Sequence, residues 1–181
     1  YGDGARAVMQ HLLELGHRRI GFIYGVQSTS QGIDRREAHR QALIGAGLPY
    51  DEGLVFQCGP YMEDGYEAVK NMLSLPDRPT AIIVINDLLA VAAIRAATHV
   101  GVRVPQDLSI AGFDDIPFSS YTVPRLTSVS GEPEQNGRDA VRMLINRLND
   151  PAEKQQIIVS GWTLTVREST GPAPGSNTNA E

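Results

Sequence analysis

Three short polar clusters hold the side chains best suited to binding a small molecule. The clusters are Asp34-Arg35-Arg36, Asn86-Asp87 and Asp114-Asp115, and each comes after an apolar run of strand length. A guanidinium donates parallel hydrogen bonds, an amide donates and accepts, and a carboxylate accepts from two hydroxyls. One side chain of each type, converging on a cleft, would suit the vicinal hydroxyls of a sugar or a nucleoside.

Each cluster also has a purely structural explanation. Asn86 or Asp87 would serve as the N-cap of a following helix, a common role for these residue types. Tandem aspartates at 114–115 are typical of a hydrogen-bonded turn. Positive charge is disfavoured near a helix N-terminus, so Arg35 or Arg36 needs a carboxylate or a bound polar ligand. At this point both kinds of explanation stay open.

The patterns of common catalytic sites are absent from the sequence. The four histidines form no i, i+4 pair and no cluster with cysteine, so no metal site is indicated. There is no G-x-S-x-G elbow, no Walker A loop and no G-x-G-x-x-G fingerprint. Cys58 ends an apolar run and is expected to be a small buried hydrophobe. We therefore expect a binding protein that is not an enzyme and uses no cofactor.

Helical and strand patterns alternate along most of the chain. Apolar periodicity predicts helices over residues 3–15, 34–46, 63–75, 88–100 and 134–148, and Asp34 with Glu37 suggests a capping box at the start of the second. Apolar runs predict strands over 19–24, 54–58, 81–85, 108–113, 126–129, 156–160 and 162–166. Strands joined through helices imply right-handed crossovers and a parallel sheet. The expected fold class is α/β, an open doubly wound parallel sheet flanked by helices.

Length and composition narrow the class of protein. The chain has 181 residues, 41% of them hydrophobic, and a net charge of −5, which suits one domain with a buried core. No run of Lys and Arg supplies the attraction on which nucleic-acid binding depends, and no apolar run reaches the roughly 18 residues of a membrane span. The first residues resemble neither a signal peptide nor a natural start, so we expect a fragment. Residues 171–181 are small and polar, and a disordered tail is expected there.

Several motifs in combination resemble the LacI/GalR family of transcriptional regulators. They are L-G-H-R-R-I-G-F-I at 15–23, R-x-x-A-x-x-x-A-L at 35–43, D-G-Y-x-A at 64–68, P-T-A-I at 79–82, N-D-x-x-A at 86–90, G-V-R-V-P-Q-D-L-S-I-A-G-F-D-D at 101–115, P-x-L-T-S-V at 124–129 and R-x-S-T at 167–170. Ala38 stands where the family usually has glycine. The resemblance covers residues 2–170.

The resemblance implies the second lobe of a type 1 periplasmic-binding-protein-like fold, in which two α/β lobes close over a small effector. Residues 1–170 would form this C-terminal lobe, with 131–150 as a crossover helix that packs on the absent N-terminal lobe. By motif, Arg35, Asn86 and Asp114 are expected to contact the effector, and the family's pocket aromatic is expected at Tyr61.

The family also implies partners for this chain. The effector would be of the sugar or the nucleoside and purine class, and operator DNA would be bound only through an N-terminal head that this chain lacks. Phe118 and Tyr121 resemble part of a dimer interface, so a cytoplasmic homodimer is expected. A periplasmic sugar-binding protein of an ABC transporter shares the fold and remains the alternative. An enzyme on a flavodoxin-like scaffold, with a phospho-acceptor at Asp87 or Asp114, is a third possibility.

Overall fold

The computed structural model describes residues 2–25, 30–150, 152 and 156–176. Its helices are α1 (Gly2–Glu14), α2 (Ser30–Gly45), α3 (Met62–Leu73), α4 (Asp87–His99) and α5 (Pro133–Asn149). Its strands are β1 (Ile20–Tyr24), β2 (Val55–Gln57), β3 (Ala81–Val84), β4 (Ser109–Phe113), β5 (Thr127–Ser130) and β6 (Thr163–Thr165). Short 3₁₀ turns lie at Glu52–Leu54 and Pro117–Ser120. Within these ranges, no helix combines the length and the apolar character needed to cross a lipid bilayer.

The strands form one sheet in the order β2-β1-β3-β4-β5-β6. Neighbouring strands from β2 to β5 run parallel, and β6 pairs antiparallel with β5. The chain winds from β1 outward to β2 and then crosses to β3 on the other side of β1. Such a reversal opens a crevice at the carboxyl ends of the strands, where open α/β folds bind ligands. The predicted α/β class with a doubly wound, mainly parallel sheet is confirmed.

Both faces of the sheet are covered by helices. All four side chains of β3 are buried, and successive ones point to opposite faces. Ile82 and Val84 belong to the core between the sheet and the pair α3 and α4. Ala81 and Ile83 belong to the core under α1 and α2. Burial on both faces explains why this strand is a continuous apolar run rather than an alternating one.

The last helix, α5, lies outside both cores and has no buried residue. Four of its apolar side chains are each more than half exposed: Val141, Leu144, Ile145 and Leu148. Their spacing of i, i+3, i+4 and i+7 gathers them into one stripe, which is the pattern of a helix that packs on another surface. We call this surface the α5 stripe. The predicted packing of residues 131–150 on a second lobe stays a prediction.

The second helix starts earlier than the sequence indicates. It begins at Ser30, a full turn before the expected start at Asp34, so the predicted capping box is wrong. Glu37 lies inside the helix and pairs with Arg40 on the next turn, at 2.8 Å between Oε1 and Nη2. Arg35 therefore lies beyond the first turn, where the helix dipole no longer demands a ligand for it. A polar loop is expected over residues 26–33, and its first half, residues 26–29, lies outside the described residues.

The strand predicted over residues 156–160 does not form. Ile157 is 83% exposed and Val159 is 82% exposed. The edge of β5 is taken by β6, and residues 156–160 are left without regular secondary structure.

The expected tail is ordered over residues 171–176, so the prediction of disorder is wrong there. The Ala173 N–H donates to the Leu15 carbonyl oxygen at 2.8 Å. The Gly171 carbonyl oxygen lies 3.0 Å from Nε2 of the buried His17. Backbone groups make these contacts, which is why the low hydropathy of the segment gave no sign of them. Residues 177–181 lie outside the described residues.

Candidate ligand-binding site

The contacts of Arg35 show that the predicted ligand-binding residues Arg35, Asn86 and Asp114 lie at one edge of the sheet. Its Nη1 donates to the Ile85 carbonyl oxygen at 2.7 Å, and its Cζ lies 4.0 Å from the centroid of the Phe113 ring. Ile85 directly precedes Asn86, and Phe113 directly precedes Asp114. All three polar side chains therefore lie at the carboxyl ends of β3 and β4, beside the reversal between β1 and β3.

The position of the Arg35 guanidinium is fixed by its surroundings. Arg35 is only 3% exposed, and a desolvated cation over an aromatic face contributes about 2 kcal/mol. The five N–H donors of a guanidinium share one rigid plane, so the contacts with Ile85 and Phe113 also fix the direction of the remaining donors. A flexible ammonium group would not be oriented in this way.

Asn86 carries out the structural role that its position allows. It is the N-cap of α4, and its Oδ1 accepts a hydrogen bond from the Leu89 N–H at 2.9 Å. The cap occupies the acceptor of the amide, whereas Nδ2 is a donor group with two hydrogens. Capping and ligand binding are therefore compatible, with Asn86 as a donor to a ligand oxygen.

The tandem aspartates have separate surroundings. Oδ1 of Asp115 lies 2.7 Å from Nη2 of Arg167, and its Oδ2 accepts from the Thr165 hydroxyl at 2.9 Å. Asp114 is exposed at the edge, and its backbone N–H donates to the Val129 carbonyl oxygen at 2.8 Å. The structural explanation therefore holds for Asp115, while Asp114 is the carboxylate that a ligand can reach.

The local environment of Asp114 is unusual for a surface residue. Surrounding protein atoms withdraw water and raise the pKa of its carboxyl, and the positive charge of Arg35 opposes that shift. Its φ angle of +100° lies in a region that residues other than glycine seldom adopt. Strained backbone of this kind concentrates at binding sites. Arg35 and Asp114 together offer a fixed donor and an acceptor to one ligand.

Tyr61 lies at the same edge of the sheet, but beyond β2, which is separated from β3 by β1. It follows β2 and precedes α3, and its backbone N–H donates to Oδ2 of Asp64 at 2.9 Å. Tyr61 is 72% exposed. Among the contacts of the described residues, none joins its ring to Arg35, Asn86 or Asp114. Its role as the pocket aromatic stays a prediction.

Asp87 is a buried carboxylate whose importance the motifs do not reveal. It is fully buried, and its Oδ2 and Oδ1 accept from the hydroxyls of Ser119 and Ser128, each at 2.6 Å. Burial raises the pKa of Asp87, and these hydrogen bonds oppose that shift. A carboxylate enclosed in this way does not face an incoming phosphoryl group, which argues against the phospho-acceptor alternative at Asp87. The feature of the sequence that could have indicated this enclosure is the glycine inside β4, Gly112. A Cβ at that position would lie 2.3 Å from Asp87 Oδ1.

Phe118 and Tyr121, the predicted dimer contacts, lie on either side in sequence of Ser119, whose hydroxyl donates to Asp87 Oδ2. They are 55% and 80% exposed. Phe118 lines a groove of about 720 Å³ between α3 and α4, which is also lined by Leu88 and Val91. Exposed aromatic and aliphatic side chains around a groove are typical of a protein interaction surface. We call this region, from Phe118 to Tyr121 with the groove, the subunit surface.

The buried histidines take part in hydrogen bonds of the fold. Nδ1 of His17 lies 2.9 Å from the Thr80 hydroxyl, and Nε2 of His39 lies 3.0 Å from the Ile20 carbonyl oxygen. Over the part of the chain that the structure describes, no three His, Cys, Asp or Glu side chains are grouped so that they could hold a metal ion.

Comparison with known proteins identifies the family. The model of the periplasmic binding protein-like domain matches residues 9–170. The HTH-type transcriptional regulator CelR of Thermobifida fusca is 35% identical over 166 residues, which are 92% of this chain and 49% of the relative. The HTH-type transcriptional repressor PurR of Pectobacterium carotovorum is 34% identical over 172 residues, which are 95% of this chain and 50% of the relative. The chain spans about half the length of the curated relatives it matches.

Solved structures agree with this comparison. A CelR–cellobiose complex has a TM-score of 0.86 and 36% identity, and the match covers 92% of this chain and 51% of that chain. A regulatory protein of the LacI family from Chloroflexus aggregans has a TM-score of 0.87 and 31% identity, covering 94% of this chain and 61% of that chain. The family expected from the motifs is therefore confirmed. The chain belongs to the periplasmic binding protein-like domain family and, within it, to the ligand-binding domains of LacI-family transcriptional regulators.

Proposed function

We propose that this chain forms one half of the effector pocket of a LacI-type transcriptional regulator. The effector binds at the edge where Arg35 lies on Phe113 and reaches Ile85. This cluster is the observation that carries the proposal, because it fixes a guanidinium beside Asn86 and Asp114 at the strand reversal. The other half of the pocket comes from a second lobe of the full-length protein.

The donor set favours an effector with several hydroxyl groups. Asp114 accepts from hydroxyls, Asn86 donates, and Arg35 donates through a planar fork. A sugar is the first candidate, since a similar protein of known structure was solved in complex with cellobiose. Nucleosides and purine bases present related donors and acceptors and form the second class to test.

Regulation follows from linkage between binding sites. The α5 stripe packs on the second lobe, the subunit surface joins two copies, and a separate head reads operator DNA in the cytoplasm. An effector that binds one arrangement of lobes more tightly shifts the population toward that arrangement. The ratio of the effector affinities of the two arrangements is then the largest factor by which operator affinity can change.

The test compares two adjacent arginines in the full-length protein. Isothermal titration would be run against a panel of neutral disaccharides that includes cellobiose, monosaccharides, nucleosides and purine bases. For the ligand that binds, Arg35→Lys should weaken affinity at least tenfold, because lysine has neither the fork nor the flat face that Phe113 holds. Arg36→Lys is the matched control, since Arg36 instead contacts Glu52, at 2.6 Å between Nη2 and Oε2.

Two results would contradict the proposal. One is that no member of the panel binds the folded protein. The other is equal affinity in the wild type and Arg35→Lys, which would show that the ligand binds at a site without Arg35. The alternative of a transport receptor is not carried forward, because the relatives and similar structures reported above are named as transcriptional regulators.

A further inference from the structure

Asp87 is next to Asn86 of the ligand-binding edge, and its carboxylate contacts Ser119 of the subunit surface. It is the first residue of α4 and follows Asn86 directly. Its two oxygens accept three hydrogen bonds, from the Ser119 and Ser128 hydroxyls at 2.6 Å and from the Ile116 N–H at 3.0 Å. No Lys, Arg or His of the described residues forms an ion pair with it. Burying a carboxylate without a cation is costly, so these three donors are what hold it in place.

Two of the donors belong to one segment that joins the two sites. Asp114 begins this segment at the ligand-binding edge, and Tyr121 ends it at the subunit surface. Ile116 and Ser119 lie between them, and both donate to Oδ2 of Asp87. A single carboxylate oxygen therefore anchors the middle of the segment, with a candidate binding residue at one end and an exposed aromatic at the other.

The third donor extends this anchor to the strained end of the segment. Asp114 and Asp115 have φ angles of +100° and +48°, and such backbone persists only where its surroundings hold it. The Asp115 N–H donates to the Ser128 hydroxyl at 3.1 Å, and that hydroxyl donates to Oδ1 of Asp87. The backbone beside the ligand-binding carboxylate is thus held by a two-step chain of hydrogen bonds ending on Asp87.

We infer that Asp87 is a positioning residue that couples effector binding to subunit contact. An effector that engages Asn86 and Asp114 orders one end of the segment, and a second subunit on Phe118 and Tyr121 orders the other. Because Asp87 fixes the middle, ordering at one end lowers the entropy cost of ordering at the other. By reciprocity, dimerisation favours effector binding by the same factor by which the effector favours dimerisation. The identity of the two ends rests on the proposed function.

The coupling can be measured in the full-length protein without any added ligand. Hydrogen–deuterium exchange of the 114–121 peptide would be recorded at protein concentrations above and below the dimer dissociation constant, with that constant taken from sedimentation equilibrium. In the wild type, dimerisation should slow exchange of this peptide several-fold. Asp87→Asn and Ser119→Ala should raise exchange about tenfold and abolish its dependence on protein concentration, because the segment loses its charged acceptor or its donor.

Thr127→Val is the matched control for these variants. Thr127 is as buried as Ser128, its neighbour on β5, but its hydroxyl contacts Thr170 at 2.9 Å rather than Asp87. We expect this variant to lose stability while the exchange of the 114–121 peptide keeps its dependence on concentration. If Asp87→Asn does not fold, Ser119→Ala, which removes a single donor, carries the test.

Three outcomes would overturn the inference. They are unchanged concentration dependence in Ser119→Ala, loss of that dependence in Thr127→Val, and a wild-type protein that stays monomeric at every concentration. Failure of the ligand panel has a different meaning. It would refute the proposed effector site, while the exchange data would still decide whether Asp87 couples the 114–121 segment to the subunit surface.

Discussion

Acid should destabilise this domain through His39, whose ring lies in the core under α1 and α2. His39 is 1% exposed, and it stacks on Phe22 with ring centroids 5.5 Å apart. Its Nε2–H donates to the Ile20 carbonyl oxygen, while its Nδ1 has no hydrogen-bond partner among the described residues. Burial lowers the pKa of His39 from 6.5 to about 4, and the hydrogen bond to Ile20 opposes that shift. The folded protein therefore keeps this imidazole neutral at pH values where the unfolded chain protonates it.

The sign and size of the effect follow from that difference in pKa. As the pH falls from 6.5 toward about 4, the unfolded chain binds more protons than the folded one, so the free energy of unfolding falls. The difference between 6.5 and about 4, at about 1.4 kcal/mol per pH unit, amounts to about 3 kcal/mol in strong acid. Between pH 8 and pH 5 the expected loss is about 2 kcal/mol.

Urea unfolding followed by circular dichroism at pH 8, 7, 6 and 5 measures this loss. The reference is His39→Phe, which keeps an aromatic ring against Phe22 and cannot be protonated. Subtracting its pH dependence removes the contributions of the carboxyl groups and of His11 and His17, whose pKa values burial also lowers. If wild type and variant lose the same free energy between pH 8 and pH 5, to within about 0.5 kcal/mol, the buried neutral state of His39 is refuted.

Three further outcomes are expected. Gly112→Ala should lower the free energy of unfolding by about 2–3 kcal/mol in urea unfolding, because its Cβ would lie 2.3 Å from Oδ1 of Asp87; an unchanged midpoint would contradict the packing described. Burial and, to a smaller extent, the negative charge of Asp64 raise the pKa of the Cys58 thiol from 9.0 to about 11. Iodoacetamide at pH 8 should therefore modify Cys58 about 100-fold more slowly in the folded protein than in the unfolded one. Ending the chain at residue 171 should cost about 1–2 kcal/mol through the lost hydrogen bond from Ala173 to Leu15, whereas a tail without structure would make that truncation neutral in a thermal melt.

The central strands of the sheet were predictable because their own residues form the apolar runs typical of buried strands. The run Ala81–Val84 is apolar at every position, and only burial on both faces produces that pattern. The start of α2 was not predictable, because Asp34 with Glu37 three residues later is a strong local signal for a helix start, although the helix begins at Ser30. The packing of residues 171–176 was also out of reach, since it depends on backbone groups that every sequence carries.

The candidate site was predictable by residue type but not by geometry. Strand-end position marked the three polar clusters, the family resemblance selected Arg35, Asn86 and Asp114 from them, and the fold brings these three to one edge. Strand-end position alone did not separate Asp114 from Asp115, because their difference depends on Arg167, which lies far along the chain. The enclosure of Asp87 depends in the same way on two serines distant in sequence.

The first helix of the described chain packs against residues near its C-terminal end, and this affects how the domain folds during synthesis. A Cβ at Gly4 would lie 3.0 Å from Trp162 Cδ2, and Nε2 of His11 lies 2.9 Å from the Thr170 hydroxyl, a contact that spans 159 positions. The ribosome releases α1 before the segment around Thr170, so the packing surface of α1 is complete only when that segment has followed. Contacts of such long range slow folding. A nascent chain therefore leaves the part of α1 around Gly4 and His11 uncovered until that segment is made, and chaperones that bind exposed surfaces can act in this interval.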